Sequence, residues 1–501
     1  MSAPQEHRDS ASLGKKALRG GTFLAVATVI ERLARLGRNM LLARIIVPDQ
    51  FGLMALTMSV LAVLGAITEV GVSHAVVQNK RGDTPEFLNV AWWFGVVRGV
   101  VVGILAILLA GPVARLYDEP ELGKLLLVAP VVILFTGLTS PKVFALQRKF
   151  QFKATLWTNQ GAALLGTMLT IVLGFLLQNV WALMWGAVFE FFCRFVLSFI
   201  LCPIRIRFRL DRVSVRDLLK FTRGMAGLSI LTMLVIQADT AVLGMVVSAH
   251  QLGLYAFAIA LAGFPLGVFT SVIEPLIVPV LSQAQDDFEA LRRRVLALSR
   301  LVWLFGLPLM ATLSIVAEPL LRLLYGPPFG EAAHAFALYC AFVMVYMNSI
   351  VSFFVYVAIG KPELQRRFTL VRALLVVLLL YPLSVLLGIE GAALALLIAM
   401  VGSMAVQLFN LRRVIGLGVV SFLATIRAGA GAAACVSVPA LLIVTLTHLP
   451  DWAKVLTCAA FGGACWALLL LRERRVLASL RQGSLRSPSE GRVGTPHSDL
   501  R

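Results

Sequence analysis

Glu31, Arg32, Arg35 and Arg38 fall inside a stretch, Gly21 to Val47, that is otherwise apolar enough to cross a membrane, with Arg44 near its far end. Glu31, Arg35 and Arg38 follow an i, i+4, i+7 spacing and so share one helical face. Arg32 and Asn39 lie beside that face, while Arg44 points elsewhere and snorkels at the interface. An ionisable side chain in hydrocarbon costs roughly 2.5–3.5 kcal/mol on insertion scales, so it is kept where it faces a polar cavity or a partner. Arginine stays charged when buried, and its planar fork donates two parallel bonds to phosphate or carboxylate. Two readings follow. The arginines capture an anionic cargo, or they form ion pairs within a bundle, Glu31 neutralising Arg35 and Arg38 meeting Asp239.

The elements that must hold these charges are set by composition. Of 501 residues, 59% are hydrophobic and 14% charged, against about 45–50% and about 25% in a soluble domain. At about 20 apolar residues per crossing, the chain reads as an all-α integral membrane protein of about fourteen transmembrane helices. The basic residues then sort by loop. Most of the 45 Lys and Arg lie in alternate loops and at both ends, the opposite loops holding only Arg115, Lys124, Arg322 and Lys454. The loop-charge rule places the basic loops and both termini in the cytoplasm. The net charge of +19 is therefore a topology signal, and no nucleic acid is implied. The same parity makes 21–47 a true crossing and not a surface helix.

The chain also resembles itself. Leu42-Ala-Arg-Ile-Ile-Val-Pro-Asp-Gln-Phe-Gly-Leu-Met-Ala aligns without a gap on Leu243-Gly-Met-Val-Val-Ser-Ala-His-Gln-Leu-Gly-Leu-Tyr-Ala, matching Gln50, Gly52 and Leu53 to Gln251, Gly253 and Leu254. Pro112-Val-Ala-Arg-Leu later matches Pro319-Leu-Leu-Arg-Leu. The repeat divides the chain into a leader (1–20), a six-helix lobe (21–202), a basic connector (203–219), a second six-helix lobe (220–413), two further helices (421–471) and a disordered tail (472–501). An even-numbered unit keeps its orientation, so the lobes are parallel, and paired repeats commonly hold substrate between them. At this offset Arg38 falls opposite Asp239.

Other charges within spans are Arg98 and the Glu190/Arg194 pair, which at i, i+4 reads as a local salt bridge. Glu69, Asp239 and Glu274, with Glu31, are candidates for carrying a coupling Na+ or H+ or for pairing between lobes. Pro265, Pro275 and Pro279 are expected to bend the eighth span. The six cysteines have no ligand spacing, no phosphate loop or catalytic cluster is present, and no cofactor, metal or enzyme site is expected.

Several motifs resemble those of one family. The Leu42–Leu56 segment is similar to the "LAR-L-P-FGL-AL" signature of bacterial polysaccharide flippases, and Glu69-Val-Gly-Val-Ser-His to the segment after it. Gln147-Arg-Lys-Phe-Gln-Phe, Val180-Trp-Ala-Leu and Asp239-Thr-Ala-Val-Leu-Gly resemble later motifs in consistent order across about 14–410. The chain is identified as resembling the Wzx/WzxC-type flippases of the multidrug/oligosaccharidyl-lipid/polysaccharide exporter superfamily. One departure stands in the first span of the second lobe, where Ile236-Gln237-Ala238 precedes Asp239 in place of the family's frequent Arg-Asn. The resemblance implies a V-shaped, MATE-like pair of lobes around a cationic cavity in the bacterial inner membrane. It implies undecaprenyl-pyrophosphate-linked oligosaccharide as cargo; the intramembrane arginines Arg32, Arg35, Arg38 and Arg98 are the residues expected to bind it, with a polysaccharide polymerase and a chain-length regulator as expected partners. A cation-coupled drug antiporter of the same superfamily, a membrane glycosyltransferase or polymerase, and a non-transporting scaffold are the rival readings.

Overall fold

The computed structural model describes residues 26–68, 71–148, 151–208 and 210–481, so the leader, Glu69 and the tail from residue 482 lie outside the described residues. Among those described, the ordered elements are helices, and ten are long and apolar enough to cross a membrane, or eleven counting one bent pair. With no water to satisfy a free backbone, this is the form that an apolar chain takes in lipid.

The charged helix α1 covers 26–42. It is followed by α2 (Pro48–Ile67), α3 (Val72–Gln78) and α4 (Pro85–Leu116). The second expected span, 52–78, is thus broken near Gly71, which takes a left-handed φ of 63°. Then come α5 (Pro120–Val128), α6 (Pro130–Leu138), α7 (Lys142–Arg148), α8 (Phe152–Leu156), α9 (Ala162–Leu177) and α10 (Val180–Leu201), with a π turn at Trp157–Gly161 joining α8 to α9. Asp211 caps α11 (Arg212–Val246), accepting from the Ser214 amide at 2.9 Å and hydroxyl at 2.6 Å. Those bonds hold its carboxyl below the ordinary aspartate value. The connector is fastened to the first half by Arg81 to Asp211 (3.3 Å) and Asn79 to Asp217 (3.3 Å).

The proline-rich span expected over 252–280 is α12 (Ala249–Ala262), α13 (Phe264–Val268), a π turn at Phe269–Ile273 and α14 (Glu274–Ser282). It bends by 41° at Gly263, just before Pro265. Next are α15 (Phe288–Ile315), α16 (Ala317–Tyr325), α17 (Ala333–Ala358) and α18 (Gln365–Ile415). As one rod, the 51 residues of α18 would run about 76 Å at 1.5 Å per residue. Instead the chain doubles back at Gly388, whose φ of 59° suits a residue without Cβ. Ser403 Oγ reaches the Phe368 carbonyl (2.9 Å) and Gln407 Nε2 reaches Gln365 Oε1 (3.2 Å), which fixes two antiparallel arms. The chain ends with α19 (Val419–Ala424), α20 (Ile426–Leu446) and α21 (Asp451–Arg481). Residues 472–481, expected in the disordered tail, are helical, in keeping with their Arg, Glu, Leu and Ala.

The repeat is visible as a contact. A Cβ built on Gly52 would overlap the carbonyl of Ala249, and one built on Gly253 would overlap the carbonyl of Pro48. These are equivalent pairs in the alignment, so α2 and α12 cross backbone to backbone in a reciprocal way. His250 Nδ1 and Asp49 Oδ2, also equivalent positions, stand 3.0 Å apart beside the crossing. At the end of α1, Arg44 donates to the Leu323 carbonyl of α16 at 2.9 Å.

Candidate functional site

The charged α1 lies between two helices that each contain a π turn, a distortion that often marks functional sites. On one side Gln160, within the π turn of the first half, donates to Thr28 at 3.3 Å. On the other, the Arg32 guanidinium presses on Gly267, where a Cβ would overlap Nη1 and Cζ. Gly267 lies two residues before the π turn of the bent span.

Arg35 is held by two carboxylates. Its Nε donates to Glu31, one turn back, and its Nη2 donates to Glu190 Oε1 on α10 at 2.8 Å. Arg194 reaches the same Glu190 oxygen at 3.4 Å and lies 4.8 Å from the Phe191 ring centroid. The expected Glu190/Arg194 pair therefore exists, and it also carries Arg35. Two positive charges are balanced by two negative ones, with the Glu190 side chain only 8% exposed.

Arg38 is different. Both Nε and Nη2 donate to Asn39 Oδ1, at 3.2 and 3.0 Å, and no described carboxylate lies within ion-pair distance. Its charged neighbours are Arg35, Glu190 and Glu31, so it stands beside an already neutralised cluster as an uncompensated cation. Asp239, its counterpart in the repeat, is 4% exposed. Asp239 accepts from the Tyr255 hydroxyl at 2.9 Å and from the Thr240 amide at 2.7 Å, and does not meet Arg38 in this conformation. Tyr255, fully buried, was not legible as its partner, although it stands within the repeated motif.

Of the remaining candidates, Arg98 donates to the Gly65 carbonyl at 2.9 Å on α2. Glu274 is half-buried at the start of α14, immediately after the π turn. The first helix thus brings Arg32, Arg35 and Arg38 together, with Glu190 and Arg194 completing the cluster. Arg98 joins α4 to α2, and Asp239 sits in the second half. All six cysteines are free, and no group of His, Cys, Asp and Glu among the described residues could hold a metal. Arg372, on the first arm of α18, lies with its Cζ 5.5 Å from the Tyr346 ring centroid.

This arrangement of helices is found in solved membrane exporters. The lipid II flippase MurJ in an inward closed conformation superposes with a TM-score of 0.73 at 16% identity, covering 91% of this chain and all of that one. An inward-facing MATE multidrug transporter of the MOP superfamily gives 0.59 at 15% identity, covering 78% and 98%. The fold is the multi-pass helical one that these two membrane proteins share. Residues 41–334 match the family described as polysaccharide biosynthesis protein, and the chain belongs to that family. It is 24% identical over 337 residues to the lipopolysaccharide biosynthesis protein WzxC of Escherichia coli K12, covering 66% of this chain and 67% of that one. It is 23% identical over 292 residues to the succinoglycan biosynthesis transport protein ExoT of Rhizobium meliloti, covering 58% and 59%. The resemblance drawn from the motifs is borne out.

Proposed function

We propose that the protein is a flippase that moves undecaprenyl-pyrophosphate-linked oligosaccharide from the inner to the outer leaflet of the bacterial inner membrane during surface polysaccharide biosynthesis. The observation that carries this reading is the state of Arg38. A guanidinium without a carboxylate partner, deep in an apolar chain, needs an anion, and a pyrophosphate supplies one in the geometry that arginine favours. Arg32 shares the same helix, while Arg35 is neutralised and holds the cluster in place. The polysaccharide-transport names of the relatives and the lipid-exporter fold support the same cargo.

In this reading the chain crosses about fourteen times, six helices to each lobe and two more beyond, with both termini cytoplasmic. The α2/α12 crossing then closes the outer end. The cavity faces inward, accepts the pyrophosphate, and opens outward when the lobes rock apart at that crossing, the polyprenyl tail staying in lipid. Asp239 or Glu274 carries a coupling Na+ or H+, and a polymerase and a chain-length regulator receive the product.

The test is made in the source bacterium. Arg38→Ala should leave the protein in the membrane, remove surface polysaccharide and accumulate lipid-linked oligosaccharide on the cytoplasmic leaflet, with partial rescue by Arg38→Lys. Full export by Arg38→Ala would overturn the cationic-cavity mechanism. Sugar transfer by the purified protein would replace it with a glycosyltransferase.

A further inference from the structure

The second half offers a different surface from the arginines of the first. Tyr339, Phe342 and Tyr346 follow one another along α17. Tyr339 and Phe342 have ring centroids 5.0 Å apart, and Phe342 and Tyr346 are parallel stacked at 5.8 Å and 15°. All three are half-buried, between the exposed face at His334 and Ala341 and the face of Phe336, Cys340, Val343 and Met347, which is buried in the core. Nor is it a lipid-facing stripe like Leu374, Val377 and Leu378, which are 62–75% exposed. A guanidinium sits on it. Arg372 from the first arm of α18 lies over Tyr346, and Tyr339 is within electrostatic reach of both Arg372 and Asp239.

These groups have unused polar capacity. Among the described residues the Arg372 guanidinium makes one weak bond, to Met400 Sδ at 3.9 Å, and has no carboxylate within ion-pair distance. Its Nε is buried without a partner. Neither the Tyr339 nor the Tyr346 hydroxyl bonds to a described residue, whereas those of Tyr255 and Tyr356 do. Donors left unpaired inside a membrane protein are costly, so a ligand with oxygen atoms is favoured there. Flat rings with donors at their edge match a pyranose, whose C–H face stacks on an aromatic ring while its hydroxyls point outward to hydrogen-bond donors.

We propose that Tyr339, Phe342, Tyr346 and Arg372 form a saccharide-binding platform for the glycan of the lipid-linked cargo. This rests on the flippase reading, and it divides the cargo between the halves. The arginines of α1 take the pyrophosphate, and the α17 rings take a sugar, whose oxygens meet Arg372.

The test measures binding to the full-length protein in detergent with two probes. One is the repeat-unit oligosaccharide released from the host's own surface polysaccharide, without lipid. The other is geranyl pyrophosphate. Phe342→Leu and Tyr346→Leu preserve apolar volume and should each weaken oligosaccharide binding about tenfold while leaving geranyl pyrophosphate binding unchanged. Tyr346→Phe keeps the ring and should retain most of the oligosaccharide affinity. Unchanged oligosaccharide affinity in both leucine variants would overturn the platform, as would equal losses in Tyr346→Phe and Tyr346→Leu. Wild-type protein that binds the oligosaccharide but not geranyl pyrophosphate would instead count against the pyrophosphate cargo. Failure to bind either would sink both readings.

Discussion

The guanidinium of Arg32 occupies the space that a side chain at residue 267 would need, so Arg32 sits against the bent span at a point where Gly267 has no Cβ. The nearest atoms are all at the end of a flexible side chain. Gly267→Ala should therefore be absorbed by Arg32 swinging away, at about 1 kcal/mol or less of folding stability. What is lost is the seat of Arg32 beside the π turn. Membrane abundance should stay normal while surface polysaccharide falls to the level of Arg32→Ala. The double variant should be no worse than either single one, because both remove the same contact. Export at the wild-type level by Gly267→Ala would show that the seat has no role in transport.

Arg35 and Arg38 stand one turn apart on the same face and should behave oppositely. Glu190→Gln removes the carboxylate shared by Arg35 and Arg194, and breaking a largely buried pair leaves uncompensated charge. Because Arg35 is 34% exposed, the loss should be about 1–3 kcal/mol, below the range for a fully buried pair. Thermal unfolding of the purified protein should shift down measurably for Glu190→Gln and for Arg35→Ala. For Arg38→Ala it should shift little, since only the bonds to Asn39 go. Equal loss of stability in all three would mean that Arg38 is a structural residue.

The reciprocal fit of Gly52 and Gly253 predicts a symmetric pair of effects. A methyl at either position meets backbone oxygen of the opposing helix, which cannot rotate away. Gly52→Ala and Gly253→Ala should each push α2 from α12 and favour the conformation in which this crossing is open. In the His250→Cys background, labelling by a membrane-impermeant maleimide applied to intact cells should rise in both variants by similar amounts, measured against the chain with only its native cysteines. A rise in one variant alone would deny the crossing its role as a gate between repeated halves.

How much of this was legible follows from range. The helical phase of Glu31, Arg35 and Arg38 is local, and it predicted the face they share. The Glu190/Arg194 pair is local too, and it forms. The repeat offset foretold which residues are equivalent, but not that Gly52 and Gly253 would meet each other. The bond from Arg35 to Glu190 spans 155 positions, and nothing in either segment's periodicity distinguishes it from pairing with another span. Arg372 lies over Tyr346 because of how α17 and the first arm of α18 pack across the turn between them, a contact that the periodicity of neither helix reveals. Gly267 carried no signal at all, because a glycine in an apolar span looks the same whether lipid or a guanidinium lies against it.

Asp239 provides the sharpest test of a structural alternative. Alignment set it opposite Arg38, yet its carboxylate is satisfied by Tyr255 and Thr240. Tyr255→Phe removes one donor from a fully buried acceptor, at a cost of about 1–3 kcal/mol. Asp239→Asn reduces the charge that needs that donor, so adding it to Tyr255→Phe should restore much of the lost thermal stability. The two changes should thus be strongly non-additive. If they add, the bond is incidental and the carboxylate is stabilised elsewhere. If instead Asp239→Asn and Arg38→Ala each impair export and the double variant is no worse than either alone, the two repeat-equivalent residues meet in another conformation. Arg38 would then hold the opposite lobe for part of the cycle and release it when the anionic cargo arrives.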